Sequence, residues 1–201
     1  MKVSCIILAG GNPSRIKDKP FALIDGKPMI TYGLGVARKL FSDIIVVVKN
    51  ERQKRKLRKI VSKKIKIVKS NSRFYSPIAE IREGIKKSKY DYIFVLSSDM
   101  PLVNEHTIRE LLPRVPEGLD CIAYIWKLKK YEPLCAIYRK YVFYNRKLKS
   151  RMCSLIQIIE NKAFVPIAME TDEFFSVRTK KDLKFVENQL KIMNKMANPA
   201  E

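Results

Sequence analysis

The sequence predicts an α/β protein with a mostly parallel central sheet and helices on both faces. Apolar runs rich in β-branched residues alternate with segments of helical period, which is the pattern of βαβ units. The runs are apolar at nearly every position, as strands covered on both faces must be. No internal repeat or low-complexity linker interrupts them, so one domain over residues 1–201 is the simplest organisation.

The clear strands are Val3–Ala9, Ile44–Val48, Lys64–Lys69 and Tyr92–Ser97, with Cys121–Trp126, Leu134–Tyr138 and Ala163–Ile167 as less regular ones. Between them the helical period returns. Pro28 is placed to open the first helix, Ile78, Ile81 and Ile85 stripe a second, and Leu183, Val186, Leu190 and Met193 stripe the last. Thr179 and Asp182 form a capping-box pattern ahead of that last stripe. Pro113–Pro116 reads as a loop ending a helix, and Ala197–Glu201 as a frayed terminus.

Composition narrows the function classes. Hydrophobic residues are 46% and charged residues 30% of the 201, a globular balance, and no apolar run approaches the roughly 18 residues that cross a bilayer. No membrane partner is expected. The N-terminus enters a strand directly without a signal-peptide pattern, so a cytoplasmic location is expected. Cys5, Cys121, Cys135 and Cys153 are widely spaced and His106 is the single histidine, too few clustered ligands for a zinc cage. The cysteines read as reduced core thiols and His106 as a surface helix residue. The formal charge of +21 points to anionic partners. Eleven Lys or Arg lie between Lys49 and Lys69 against one acid, Glu51. That belt reads first as a solvated helix face. Nucleic acid is the partner from a different class, and the absence of Phe, Tyr and Trp from the belt argues against it. An acidic acceptor protein docking transiently on the same belt is left open.

Two constellations carry chemistry. The first strand empties into Leu8-Ala9-Gly10-Gly11-Asn12-Pro13-Ser14-Arg15, followed by Asp18-Lys19-Pro20. Paired glycines let a loop curl its amides round phosphates, and Arg15 and Lys19 add charge to neutralise a leaving pyrophosphate. The pattern is neither the P-loop nor G-x-G-x-x-G; an ordinary tight turn with surface bases fits these residues equally well. The second is Ser97-Ser98-Asp99-Met100-Pro101 at the end of an interior strand. Ligands of open α/β sheets lie at the carboxyl ends of strands, so Asp99 reads as a Mg²⁺ ligand completed by substrate phosphates. The competing reading makes Asp99 a cap for a helix near Asn104.

Together with Asp25-Gly26-Lys27-Pro28, these motifs resemble the nucleotidyltransferase superfamily, and within it the molybdenum cofactor guanylyltransferase family. Ser76-Pro77-Ile78-Ala79 resembles that family's Gly-Pro-Leu-Ala-Gly turn, Glu132-Pro133-Leu134-Cys135-Ala136-Ile137-Tyr138 its Pro-Leu-x-Ala-Leu-Tyr strand, and Phe174-Phe175-Ser176-Val177-Arg178-Thr179 its Phe-Phe-Asn-Val-Asn-Thr segment. The resemblance implies a Rossmann-like nucleotidyltransferase fold, with a nucleotide-binding half over about 1–115 and an acceptor-binding half over about 116–196. It implies transfer of GMP from GTP to a molybdopterin-type phosphorylated acceptor. Leu8, Ala9 and Gly10 would lie along the guanine nucleotide, with Gly11 of the glycine pair a further candidate beside them, Lys19 on its phosphates, Asp99 on Mg²⁺ and nucleotide, and Asn50 near a family asparagine that touches the nucleotide.

Departures from the family pattern fall on both substrates. Ser70 stands where the family has a base-proximal Asp, and Glu80 replaces the last glycine of its Gly-Pro-Leu-Ala-Gly turn. Arg15-Ile16-Lys17-Asp18-Lys19 is one residue shorter than the family's Arg-Met-Gly-x-Asp-Lys, and Ser176 and Arg178 replace asparagines that meet the acceptor. A guanylyltransferase acting on adenosylcobinamide phosphate, with a similar late segment over Phe175–Lys184, and a sugar-phosphate nucleotidyltransferase are the rival readings of the same class.

Overall fold

The computed structural model describes residues 2–10, 16–72, 76–114, 118–126, 130–144, 156, 157, 159–167 and 171–197. Successive side chains of β1 (Val3–Leu8) point to opposite faces, and every one is buried. Cys5 and Ile7 join one core, Ile6 and Leu8 another. The split continues through β4 (Ile44–Val48) and β6 (Tyr92–Ser97). Val46, Val48, Phe94 and Leu96 face the first core, and Ile45, Val47, Ile93 and Val95 the second.

A sheet apolar on both sides needs helices on both sides. α1 (Ile30–Leu40), α2 (Glu51–Ile60) and α4 (Glu105–Leu111) cover the first face with Ile30, Leu34, Leu57, Ile108 and Leu111. α3 (Pro77–Ile85) covers the second with Ile78, Ile81 and Ile85. With β5 (Lys66–Lys69), β7 (Cys121–Trp126), β8 (Lys130–Arg139) and β9 (Lys162–Pro166), the sheet has seven strands in the order β5-β4-β1-β6-β8-β7-β9. β5, β4, β1 and β6 run parallel, β8 is antiparallel to both of its neighbours, and β9 is parallel to β7. The mostly parallel sheet with helices on both faces is therefore the observed one.

β8 is longer than the expected Leu134–Tyr138 because it continues past a break in register. Ala123 opposes Ala136, but Tyr124 opposes Glu132, which leaves Pro133, Leu134 and Cys135 without partners on β7. Pro133 has no N–H to lose from the ladder, which suits it to such a bulge. The Tyr138 hydroxyl donates to the Pro133 carbonyl at 2.9 Å, and the Leu134 amide bonds the Glu132 carboxylate.

Pro28 does not open a helix. It lies in β3 (Lys27–Pro28), a two-residue strand antiparallel to β2 (Leu23–Ile24), and α1 starts at Ile30. The ribbon turns on Asp25 and Gly26 at φ 49° and 70°, the left-handed pair that a two-residue hairpin turn needs. α5 (Lys180–Ala197) packs against this ribbon, its Val186 sharing a third core with Ile24, Met29, Leu102 and Val177. The capping box closes as expected: Thr179 Oγ accepts the Asp182 amide at 3.3 Å, and Asp182 accepts the Thr179 amide at 2.8 Å. Cys5, Cys121 and Cys135 are buried free thiols; Cys153 lies outside the described residues. Among the described residues no helix is long and apolar enough to cross a membrane.

Gly84 lets α3 approach the sheet. A Cβ there would stand 2.8 Å from Ile6 Cγ2 and 3.2 Å from Val47 Cγ2, both on buried strands. Gly84→Ala should therefore overpack this interface and lower stability by about 1–3 kcal/mol. Urea unfolding would show a lower midpoint at constant slope; an unmoved midpoint would mean that the helix has room to spare.

Candidate active site

The four parallel strands end at one edge of the sheet, and the positions singled out in the sequence lie along it. Backbone bonds continue past the strand ends and hold the turns level. Ala9 donates to Val47 at 2.7 Å, Ser70 to Val48 at 2.8 Å, and Ser98 to Leu8 at 3.0 Å. Ser70, Asn50, Ala9, Gly10 and Asp99 thus follow β5, β4, β1 and β6 along this edge. Gly11 and Arg15 lie outside the described residues.

Lys19 and Asp99, eighty positions apart, are in direct contact. The Lys19 ammonium donates to Asp99 Oδ2 at 2.5 Å and to the Val177 carbonyl at 3.1 Å. The Ser97 hydroxyl donates to Asp99 Oδ1 at 2.5 Å. The Asp99 carbonyl accepts the Val177 amide at 2.9 Å, so the late Phe174–Thr179 segment is tied to the same point. Side-chain exposures of 15% and 16% leave the pair shielded yet reachable. Asp99 is not the cap of α4: Asn104 is, accepting the Thr107 amide at 3.0 Å.

Asp18 fixes where Lys19 points. It adopts a left-handed backbone, φ 57° and ψ 40°, which Asp tolerates better than most residues, and Lys19 then begins a short 3₁₀ turn through Phe21. α2 holds Asp18 from the side: Gln53 donates at 3.1 Å, Lys56 forms a close ion pair, and Arg52 lies at 3.6 Å. Burial raises the Asp18 carboxyl, but these bonds and charges outweigh it and keep the group below the usual carboxylate range. Part of the basic belt is accounted for in this way. Further members pair with Asp43 (Lys66, 2.6 Å) and with Glu51 (Lys54 at 4.0 Å, Lys69 at 3.7 Å). Asn50 also has a structural task, capping α2 by accepting the Gln53 amide at 2.9 Å. Ser70 is buried, and its hydroxyl accepts the Ser72 amide at 3.3 Å.

Among the described residues of the first turn, the amides of Ala9 and Gly10 are already engaged. Ala9 donates within the sheet, and Gly10 donates to the carboxylate of Glu80, a buried residue of α3. Glu80 was visible in the sequence only as a departure from a family glycine. Burial pushes its carboxyl up to about 7, against the pull of the Gly10 amide and the Lys49 charge.

On the far side of Asp99 lies an open cavity of about 540 Å³. Trp126 and Phe174, edge to face at 5.6 Å between centroids, supply an aromatic wall, and Lys130, Arg178 and Glu132 supply charge. Burial, reinforced by the Asp99 charge, pushes the half-buried Glu132 carboxyl up to about 7, against the Leu134 amide and the Lys130 and Arg178 charges. Sequence reasoning gave Glu132 no role; its place beside the bulge at Pro133 is what brings it here. His106 is exposed on α4, away from these contacts, as expected.

Lys19 and Asp99 face a strand-end turn on one side and a charged cavity on the other. Two solved structures share this architecture. Molybdopterin-guanine dinucleotide biosynthesis protein A from Archaeoglobus fulgidus matches with a TM-score of 0.75 and 22% identity, over 94% of this chain and 99% of that one. The CTP complex of CMP:2-keto-3-deoxy-manno-octonic acid synthetase matches with a TM-score of 0.77 and 18% identity, over 96% and 100%. Residues 5–158 match the MobA-like NTP transferase domain, and the chain belongs to that family. A probable molybdenum cofactor guanylyltransferase of Methanosarcina acetivorans is 27% identical over 179 residues, 86% of this chain and 76% of the relative.

Glu80 should leave a signature in stability. Its carboxyl has an ordinary value of 4.5, so between pH 4.5 and about 7 the folded state keeps a proton that the unfolded chain has released. That contribution is full below pH 4.5 and is lost as pH rises through about 7. Glu80→Gln should therefore gain on the wild type by on the order of 3 kcal/mol between pH 4 and pH 8. Denaturant melts across that range test this, and a gap that stays constant with pH would remove Glu80 as the source.

Proposed function

We propose that the enzyme transfers GMP from GTP to the terminal phosphate of a molybdopterin-type acceptor and releases pyrophosphate. The contact between Lys19 and Asp99 carries this reading, because it sits between the strand-end turn and the cavity. Leu8, Ala9 and Gly10 lie along the nucleotide, and Asn50 and Ser70 flank the base. Gly11 and Arg15, assigned to the phosphates from sequence, belong to the same reading.

An oxygen of the acceptor phosphate attacks the α-phosphorus, the new P–O bond forms, and the bond to the β-phosphate oxygen breaks. The attacking oxygen is already ionised, so no general base is needed. Lys19 binds the triphosphate and offsets charge on the leaving pyrophosphate, moving from its resting place on Asp99. Asp99 suits a hard divalent cation, and no group of three His, Cys, Asp or Glu clusters among the described residues, so substrate phosphates would complete its shell. Asp99, with the substrate phosphates, would hold Mg²⁺, which would supply further charge neutralisation. Ser97 and the Val177 amide hold the Asp99 residue in place. The cavity receives the acceptor: Lys130 and Arg178 offer charge to its phosphate, and Trp126 offers a ring face to its heterocycle. The site of action in this reading is the cytoplasm.

Asp99→Asn keeps the shape of the side chain and removes its charge. Pyrophosphate release from GTP in the presence of Mg²⁺ and molybdopterin should fall by about 10²- to 10³-fold or more. The far-UV circular dichroism should stay as in the wild type. Mg²⁺-dependent turnover near the wild-type rate in this variant would refute the assignment.

A further inference from the structure

Glu80 is 5% exposed, and its carboxylate lies hard against the Gly10 turn: a Cβ on Gly10 would stand 2.7 Å from Oε1 and 3.1 Å from Oε2. The Gly10 amide donates to it. In a chain of net charge +21, a carboxylate thus occupies the amide that a phosphate-binding turn would offer its ligand. Above about pH 7, where Glu80 is ionised, two anions in hydrogen-bond range of each other at a buried site repel strongly, so a phosphate is excluded from this amide. A ligand group with N–H donors suits it.

The geometry separates the two ends of a nucleotide. In the sheet order, β4 lies on one side of β1 and β6 on the other. α3, which carries Glu80, packs over β1 and β4 through Gly84 against Ile6 and Val47. Asp99 and the Lys19 ammonium stand at the end of β6. Phosphates drawn to Lys19 therefore leave the base on the side of β4, where Glu80 lies. There the neighbouring strand ends offer Ser70, a hydroxyl already accepting from Ser72, and Asn50, whose oxygen caps α2.

Resting on the GTP reading above, we propose that Glu80 is the base-specificity residue of this enzyme, its two carboxylate oxygens accepting the N1–H and the N2 amine of guanine. Adenine and cytosine present a donor beside a lone pair, and uracil a single donor between two carbonyls, so each would set an acceptor against the carboxylate. A site built to pair polar groups in this way rejects a mismatched partner because its own buried groups are left unpaired.

Inosine triphosphate, which differs from GTP only by lacking the N2 amine, isolates one of the two bonds. Dissociation constants of GTP and inosine triphosphate are measured by calorimetry on the full chain with Mg²⁺ above about pH 7, where Glu80 is ionised, for the wild type, Glu80→Gln and Glu80→Asp. The wild type should bind GTP about tenfold or more tightly than inosine triphosphate. In Glu80→Gln, which turns an amide N–H toward the N2 amine, the ratio should fall to about one or below. Glu80→Asp keeps both acceptor oxygens and should retain a preference for GTP. A wild-type ratio preserved in Glu80→Gln would overturn the proposal, as would equal loss of both nucleotides in both variants, which would make Glu80 a structural residue. A wild type that binds neither nucleotide would sink the GTP reading itself, a result distinct from either of these.

Discussion

The bond between Lys19 and Asp99 is the contact on which the site depends, because it joins two segments that the parallel sheet can only deliver to the same edge. β1 and β6 are neighbours in register, Leu8 opposite Ser97, so the turns that follow them emerge side by side. The pair then collects a third segment through Val177. An exposed lysine–aspartate pair contributes little to stability, and one this shielded costs desolvation. Its value is in placement: it pins two segments eighty positions apart, and the Val177 segment with them, at one point.

Around that contact the charges are arranged unevenly. The chain is strongly basic, yet the carboxylates nearest the site are held in different states by their surroundings. Asp18 is kept ionised by α2, whereas Glu80 and Glu132 are pushed up to about 7 by burial, on opposite sides of the pair. Three of the eleven bases in the belt, Arg52, Lys56 and Lys66, have structural work in holding Asp18 and Asp43.

Much of this was legible in the chain. Ile44–Val48, Tyr92–Ser97 and Cys121–Trp126 are strands over the spans read from their apolar runs, because burial on both faces leaves no ambiguity of period. Pro28 was misread because β2 and β3 have two residues each, too short for any period, although Asp25-Gly26 is a hairpin turn signal in its own right. Lys19 and Asp99 could be picked out from their motifs, but their contact depends on strand order. The clamp on Asp18 depends on which face of α2 turns inward. Glu80 was hidden for a different reason: a charged residue beside an isoleucine stripe looks like a solvated position, and only the close approach of Gly10 shows that it is buried.

The three residues of β8 that find no partner on β7 decide which way the strand faces beyond them. Before the bulge, Ala136 and Tyr138 belong to the α3 side and Cys135 and Ile137 to the other. After it the parity is inverted: Tyr131 stacks on Phe164 on the α3 side, and Glu132 opposes Tyr124 and opens toward Phe174. An odd number of inserted residues is what makes this inversion, since an even number would restore the original alternation. Which face Glu132 takes is thus set by a count of residues at a single point in the strand.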